Sequence, residues 1–130
     1  MAALIYLDTH VALWLYGGRT DLLPAGVRDL LGQHDLLISP MVVLEMQYLF
    51  ELERTSEPAS TVLTALSREI GLGICDLPFF EVVQEALRQE WTRDPFDRLI
   101  TSQAALRGAP LLTKDQAIRD HYPQALWSSA

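Results

Sequence analysis

Five acidic side chains, Asp8, Glu45, Asp94, Asp97 and Asp115, have the type and setting to do chemistry in this chain. Asp8 directly follows the apolar run Leu4-Ile5-Tyr6-Leu7, and Asp115 follows Pro110-Leu111-Leu112 after only Thr113 and Lys114. If the two runs are neighbouring strands of an open α/β sheet, both carboxylates face the crevice beyond the strands' carboxyl ends, where ligands gather in such sheets. Each also has a structural reading. Asp8 or Thr9 could cap a helix, and an acid at Asp115 suits the positive end of a first helical turn. Glu45 is the only charged residue in PMVVLEMQYLF, Pro40 to Phe50. A helix apolar nearly all round is expected to be buried, and a buried carboxylate needs a partner or a metal. The alternative for Glu45 is a narrow solvent-facing stripe with Gln47 and Glu51. In RDPFDRLI, Arg93 to Ile100, Asp94 reads as N-cap, Pro95 as the first helical residue and Asp97 as the third. Their spacing brings the two acids together at the helix's positive end. Asp94 divides evenly between capping and chemistry, and Asp97 is the better chemical candidate.

The set says more than any member. Two carboxylates about 5 Å apart repel by roughly 3 kcal/mol at an effective dielectric near 20. A cluster of four is therefore destabilising unless protons or cations compensate. Hard oxygen ligands suit Mg²⁺ or Mn²⁺, which keep several waters and bind phosphate oxygens. Such ions activate water and stabilise charge in an in-line attack on phosphorus, the chemistry of a nuclease.

Short β-rich runs must position these acids, alternating with longer helical patterns. Leu4 to Leu7, Leu36 to Ile38, Leu72 to Cys75 and Pro110 to Leu112 read as strands, with a short edge strand at Ala125 to Trp127. Residues 24–33, 41–54, 59–70, 79–91 and 96–107 read as helices. Ser39-Pro40 and Asp94-Pro95 mark helix starts, Gly108 a helix end, and Thr113-Lys114-Asp115-Gln116 a capping box. The pattern is one α/β domain over residues 1–130 with a mainly parallel sheet.

A chain of 130 residues that is 49% hydrophobic and 21% charged is long enough to bury a core and reads as globular. The apolar opening from Ala2 to Leu15 is too short to span a bilayer and is interrupted by Asp8 and His10. A cytoplasmic location with no membrane association is expected. Cys75 is the only cysteine, which excludes an intramolecular disulfide and a cysteine-rich zinc site. The net charge of −7 opposes nucleic-acid binding through a basic surface, unless metal ions offset the carboxylates locally. It also leaves room for a partner protein to supply part of the binding surface. Arg19, Arg93, Arg98 and Lys114 are candidate phosphate contacts, each with the commoner reading of a surface charge or structural ion pair. His10, His34 and His121 share no metal-ligand spacing. Trp14, Trp91 and Trp127 are read as core or interface packing rather than base-stacking rings. Phe79-Phe80 and Leu49-Phe50 are read as core or dimer surface, and Cys75 as an inert core residue.

LDTH after an apolar strand, Glu45 within SPMVVLEMQYL, RDPFDRLI and LLTKD stand in the order seen in PIN-domain proteins. Over essentially its whole length the chain most resembles the VapC-type toxins of VapBC-like toxin–antitoxin pairs. The resemblance implies a three-layer α/β/α domain whose parallel sheet runs in the order 3-2-1-4-5. It implies an acidic pocket of Asp8, Glu45, Asp97 and Asp115 holding Mg²⁺ or Mn²⁺, with Asp8 and Asp97 as direct ligands. Asp94, Thr113 and Thr9 take supporting positions. The implied reaction is endonucleolytic hydrolysis of RNA by metal-activated water. A VapB-like antitoxin is the implied inhibitor and a homodimer the implied assembly. A cationic antitoxin segment docking in the pocket would put the negative charge to use.

Three other readings compete. A non-catalytic PIN scaffold would bind RNA or protein without cleaving it; the complete acid set argues against it and the net acidity keeps it open. A phosphoacceptor signalling domain would use Asp8, Asp76 and Lys114, each after a predicted strand, but leaves Glu45 and Asp97 unexplained. A haloacid-dehalogenase-like phosphatase needs a second Asp two positions after the first, where this chain has His10.

Overall fold

The structure, a computed structural model, describes residues 3–128. Its centre is β1 (Leu4–Leu7), in which Ile5, Tyr6 and Leu7 are fully buried. Successive strand residues point to opposite faces, so both faces of the sheet are covered. β2 (Asp35–Ile38) pairs with one side of β1, with Ile5 opposite Leu36, and β3 (Gly73–Ile74) pairs with β2. On the other side lies β4 (Leu111–Leu112), with Leu7 opposite Leu112, and then β5 (Ala125–Leu126). All four pairings are parallel and the order is 3-2-1-4-5, as the family resemblance implies. The chain adds β2 and β3 outward on one side of β1, then crosses back to place β4 on the other. The crevice between β1 and β4 is the topological switch point.

Among the described residues seven α-helices connect and cover the strands: α1 (Thr9–Tyr16), α2 (Ala25–Gln33), α3 (Pro40–Glu51), α4 (Ala59–Ile70), α5 (Phe79–Ala86), α6 (Pro95–Arg107) and α7 (Gln116–His121). α1 packs on α3 and α4, and α5 on α6. The helix starts follow their local chemistry. Ser39 Oγ accepts from the Met41 amide at 3.0 Å, and Asp94 Oδ1 accepts from the Phe96 and Asp97 amides at 2.8 and 3.3 Å, each followed by proline at the first helical position. Gly108 closes α6 with a left-handed φ of 61°, a conformation other residues adopt only at a cost.

Several boundaries differ from expectation, each for a visible reason. α1 and α7 lie outside the five helices predicted. α1 merges in sequence with the apolar opening, and α7 is too short to show a period. The helix expected over 79–91 ends at Ala86, whose carbonyl is taken by both Nε and Nη2 of Arg98 at 3.1 and 2.9 Å. α3 stops at Glu51 because Glu53 turns left-handed at φ 61° and the Arg54 amide donates back to the Leu49 carbonyl. Nor is α3 buried all round: Leu44 is 54% and Tyr48 49% exposed. The capping box at Thr113 does not form. Asp115 caps α7 instead, accepting from the Ile118 amide at 3.0 Å, and the Thr113 hydroxyl turns towards Asp8. Phe79 and Phe80 stand on the surface, 63% and 71% exposed. Cys75 is buried just past β3 and accepts a hydrogen bond from the Tyr6 hydroxyl at 2.9 Å.

Candidate active site: an acidic cleft at the switch point

A cleft of about 500 Å³ opens beyond the carboxyl ends of β1 and β4, and Asp8, Glu45, Asp94, Asp97 and Asp115 all line it. Four separate chain segments supply them. Asp8 is the hinge between β1 and α1, and its backbone amide donates to the Leu112 carbonyl of β4 at 3.0 Å. Glu45 comes from the second turn of α3, Asp94 and Asp97 from the start of α6, and Asp115 from the cap of α7. The capping and chemical readings of Asp8, Asp94 and Asp115 are therefore compatible. A capping geometry fixes each backbone while a carboxylate edge remains in the cleft.

Two buried threonines orient the row. Thr113 donates from Oγ1 to Asp8 Oδ2 at 2.6 Å and accepts from the Asp115 amide at 3.0 Å, so one hydroxyl ties the acids of β1 and β4 together. Asp8 Oδ1 accepts from the Thr9 amide at 2.9 Å. The Thr9 hydroxyl donates to Glu45 Oε1, linking α1 to α3. Both threonines are fully buried, as expected of groups that set the direction of others.

Negative charge dominates the electrostatics of the cleft. Among the described residues the ion pairs are Arg19–Asp21, Arg88–Glu85 and Arg107–Asp76, and none involves a cleft acid. Burial pushes the carboxyls of Asp8 and Glu45 above the usual range, although their threonine partners and His10 pull them back towards it. Asp97 is pushed up to about 7, first by burial and then by the charges of Asp94, Asp8, Asp115 and Glu45. Its carboxylate accepts no hydrogen bond within the described residues. Like charges held together in this way persist in a folded protein only with a proton or a cation to offset them.

The donor set fits a hard divalent cation. The cleft offers carboxylate oxygens without a cysteine. Among the described residues, no three Asp, Glu, His or Cys side chains converge tightly enough to enclose an ion. Carboxylate oxygens are the donors that Mg²⁺ or Mn²⁺ takes, one or two at a time with several waters retained.

The candidate phosphate contacts separate clearly. Lys114 lines the cleft. Arg19 instead pairs with Asp21 at 3.0 Å on the surface, Arg93 donates to the Glu90 carbonyl at 3.1 Å, and Arg98 is committed to the end of α5. None of these three lines the cleft. Asp76 is 92% exposed and paired with Arg107, outside the cleft, so Asp8, Asp76 and Lys114 do not form a phosphoacceptor centre. His10 and Trp14 also line the cleft, and the sequence analysis gave neither a role in the site. The signal was present in their spacing: with Asp8 starting a helix, residues 10, 11 and 14 recur on one face.

Comparison with known proteins agrees with the geometry. The family model of the PIN domain matches residues 5–122. Ribonuclease VapC22 of Mycobacterium tuberculosis is 30% identical over 129 residues, covering 95% of this chain and 98% of that protein. Among solved structures, a toxin–antitoxin complex from Klebsiella pneumoniae superposes with a TM-score of 0.64 at 20% identity, covering 96% of each chain. VapBC2 from Rickettsia felis, bound to a DNA fragment from its promoter, gives 0.63 at 18% identity, covering 95% of this chain and 96% of that one. At such identities the structural likeness concerns the fold. The sheet order, the ordered acidic motifs and a family model spanning nearly the whole chain meet in one conclusion: this chain belongs to the PIN-domain family.

Proposed function

We propose that the protein is a Mg²⁺- or Mn²⁺-dependent endoribonuclease that acts as the toxin of a type II toxin–antitoxin pair. One observation carries the reading. Five carboxylates from four chain segments line one cleft at the sheet's switch point, and among the described residues none of them is ion-paired. Similarity to a VapC ribonuclease supports RNA as the substrate, and similarity to toxin–antitoxin complexes supports a VapB-like antitoxin as partner. Family resemblance further supports a homodimer and a cytoplasmic site of action. Among the described residues no helix is long and apolar enough to cross a membrane.

Asp8 and Asp97 are assigned as the direct holders of the ion, with Glu45 and Asp115 completing the acidic ring. A divalent ion held there would activate water for attack and offset charge on the phosphate. The chain's own residues do the rest. Thr113 fixes the Asp8 carboxylate and Thr9 fixes that of Glu45, so the oxygens are positioned before substrate arrives. Asp94 holds the first turn of α6 and with it the backbone of Asp97. Lys114 offers the phosphate a cation at the cleft's rim.

The test is incubation of purified, antitoxin-free protein with total small RNA and Mg²⁺ or Mn²⁺. Discrete cleavage that vanishes with EDTA and in Asp97→Asn is the expected result. Cleavage that persists in the variant removes Asp97 from the site. Absence of cleavage on diverse RNAs by well-folded protein supports the non-catalytic scaffold instead.

A further inference from the structure

Trp14 is the largest side chain of the cleft and the acidic chemistry does not use it. It projects from α1 on the face it shares with His10 and Val11, all three lining the cleft beside Asp8 and Lys114. Trp127, just beyond β5, packs against it with ring centroids 5.8 Å apart at 57°, and the His10 ring lies 6.1 Å away at 51°. The indole is thus braced from the sheet edge and half-buried while still forming cleft wall. Its N–H donates to no acceptor within the described residues. Trp91 is the contrast: its Nε1 donates to Gln89 at 2.7 Å and its face is covered by His121, stacked at 5.0 Å. One tryptophan has its polar edge and its face satisfied within the fold; the other lines the cleft, with no acceptor for its N–H among the described residues.

The charge balance of the molecule gives that wall a purpose. A net charge of −7 opposes holding RNA through phosphate contacts alone, and among the described residues Lys114 is the one lysine or arginine lining the cleft. Stacking of a base on an aromatic ring needs no positive charge and tolerates any base. We propose that Trp14, braced by Trp127, is the platform on which one unpaired RNA base stacks beside the scissile phosphate, with Lys114 contacting that nucleotide's phosphate. This rests on the nuclease reading of the same cleft. The platform serves an unpaired base, because a base within a duplex reaches a side-chain platform only after unstacking.

The experiment uses the full chain carrying Asp97→Asn, which removes turnover, and follows tryptophan emission while a short single-stranded RNA is added. Quenching on binding is expected. Adding Trp14→Leu, which retains apolar bulk against Trp127, should abolish most of the quench and weaken binding about 5- to 150-fold, the equivalent of 1–3 kcal/mol per stacked base. Trp14→Phe should fall between, and Trp91→Phe should bind as the host does. An oligonucleotide of abasic residues should bind the host as weakly as normal RNA binds the Trp14→Leu form. Unchanged affinity in a Trp14→Leu protein shown by urea melting to be folded overturns the platform, as does equal affinity for the abasic strand. Cleavage by the parent chain is scored separately. Trp14-dependent binding without cleavage overturns the nuclease and leaves the platform standing; cleavage with Trp14-independent binding does the reverse.

Discussion

Asp97→Asn should abolish RNA cleavage and yet make the metal-free protein more stable, and the size of that gain follows from the site. In the fold the Asp97 carboxyl is raised from 3.8 to about 7 by burial and four neighbouring acids. Between those values the native state holds a proton that the unfolded chain has released. Stability therefore falls as pH rises through this window and is lowest above pH 7. At 1.36 kcal/mol per tenfold change in proton affinity, the full penalty is about 4 kcal/mol. Asp97 is only partly buried, so solvent screening reduces this to about 1–3 kcal/mol. Asparagine has the same shape, carries no charge at any pH and breaks no hydrogen bond, since the carboxylate accepts none within the described residues. The assay is thermal and urea unfolding of both proteins in EDTA at pH 4 and pH 8. At pH 8 the variant should melt roughly 3–12 °C higher, taking about 3–4 °C per kcal/mol for a domain of this size. At pH 4 the two should nearly coincide. Saturating Mg²⁺ or Mn²⁺ should then stabilise the parent more than the variant. A variant no more stable than the parent at pH 8, or a difference independent of pH, would refute the electrostatic account of the cleft.

Three further substitutions probe the supports around it. Thr113→Val removes the hydroxyl that joins Asp8 to the Asp115 amide, and should lower cleavage about 10- to 100-fold in initial-rate assays while Thr113→Ser stays close to the parent. Arg98→Ala removes both guanidinium donors from the Ala86 carbonyl, leaving it only the Gln89 amide, and should cost about 1.5–3 kcal/mol in urea unfolding. Cleavage by its folded fraction should stay within a few-fold, whereas a raised KM at unchanged stability would restore Arg98 as a phosphate contact. Gly108→Ala meets no steric clash but must hold a left-handed backbone, so unfolding should register a loss of about 1–2 kcal/mol with activity intact.

Much of this molecule was legible in the chain because the signals are local. Apolar runs marked the strands, Ser39-Pro40 and Asp94-Pro95 marked helix starts, and Gly108 marked a helix end, each through the chemistry of its own few residues. The acids at the ends of predicted strands and at the head of α6 were readable in the same way. What the chain left open is non-local. Whether Thr113 caps a helix or turns to Asp8 depends on a partner 105 positions away, and the hydroxyl chose the carboxylate once β4 lay beside β1. Arg98 had the same choice between phosphate and protein, settled by the Ala86 carbonyl at the end of α5. Trp14 lines the cleft while packing on the core, and the ring against it, Trp127, comes from the far end of the chain. Sequence alone determined which side chains had the chemistry to build an acidic site. Only the crossing from β3 back to β4 decided which of them meet, because electrostatic repulsion, hydrogen bonding and ring packing act across space rather than along the chain.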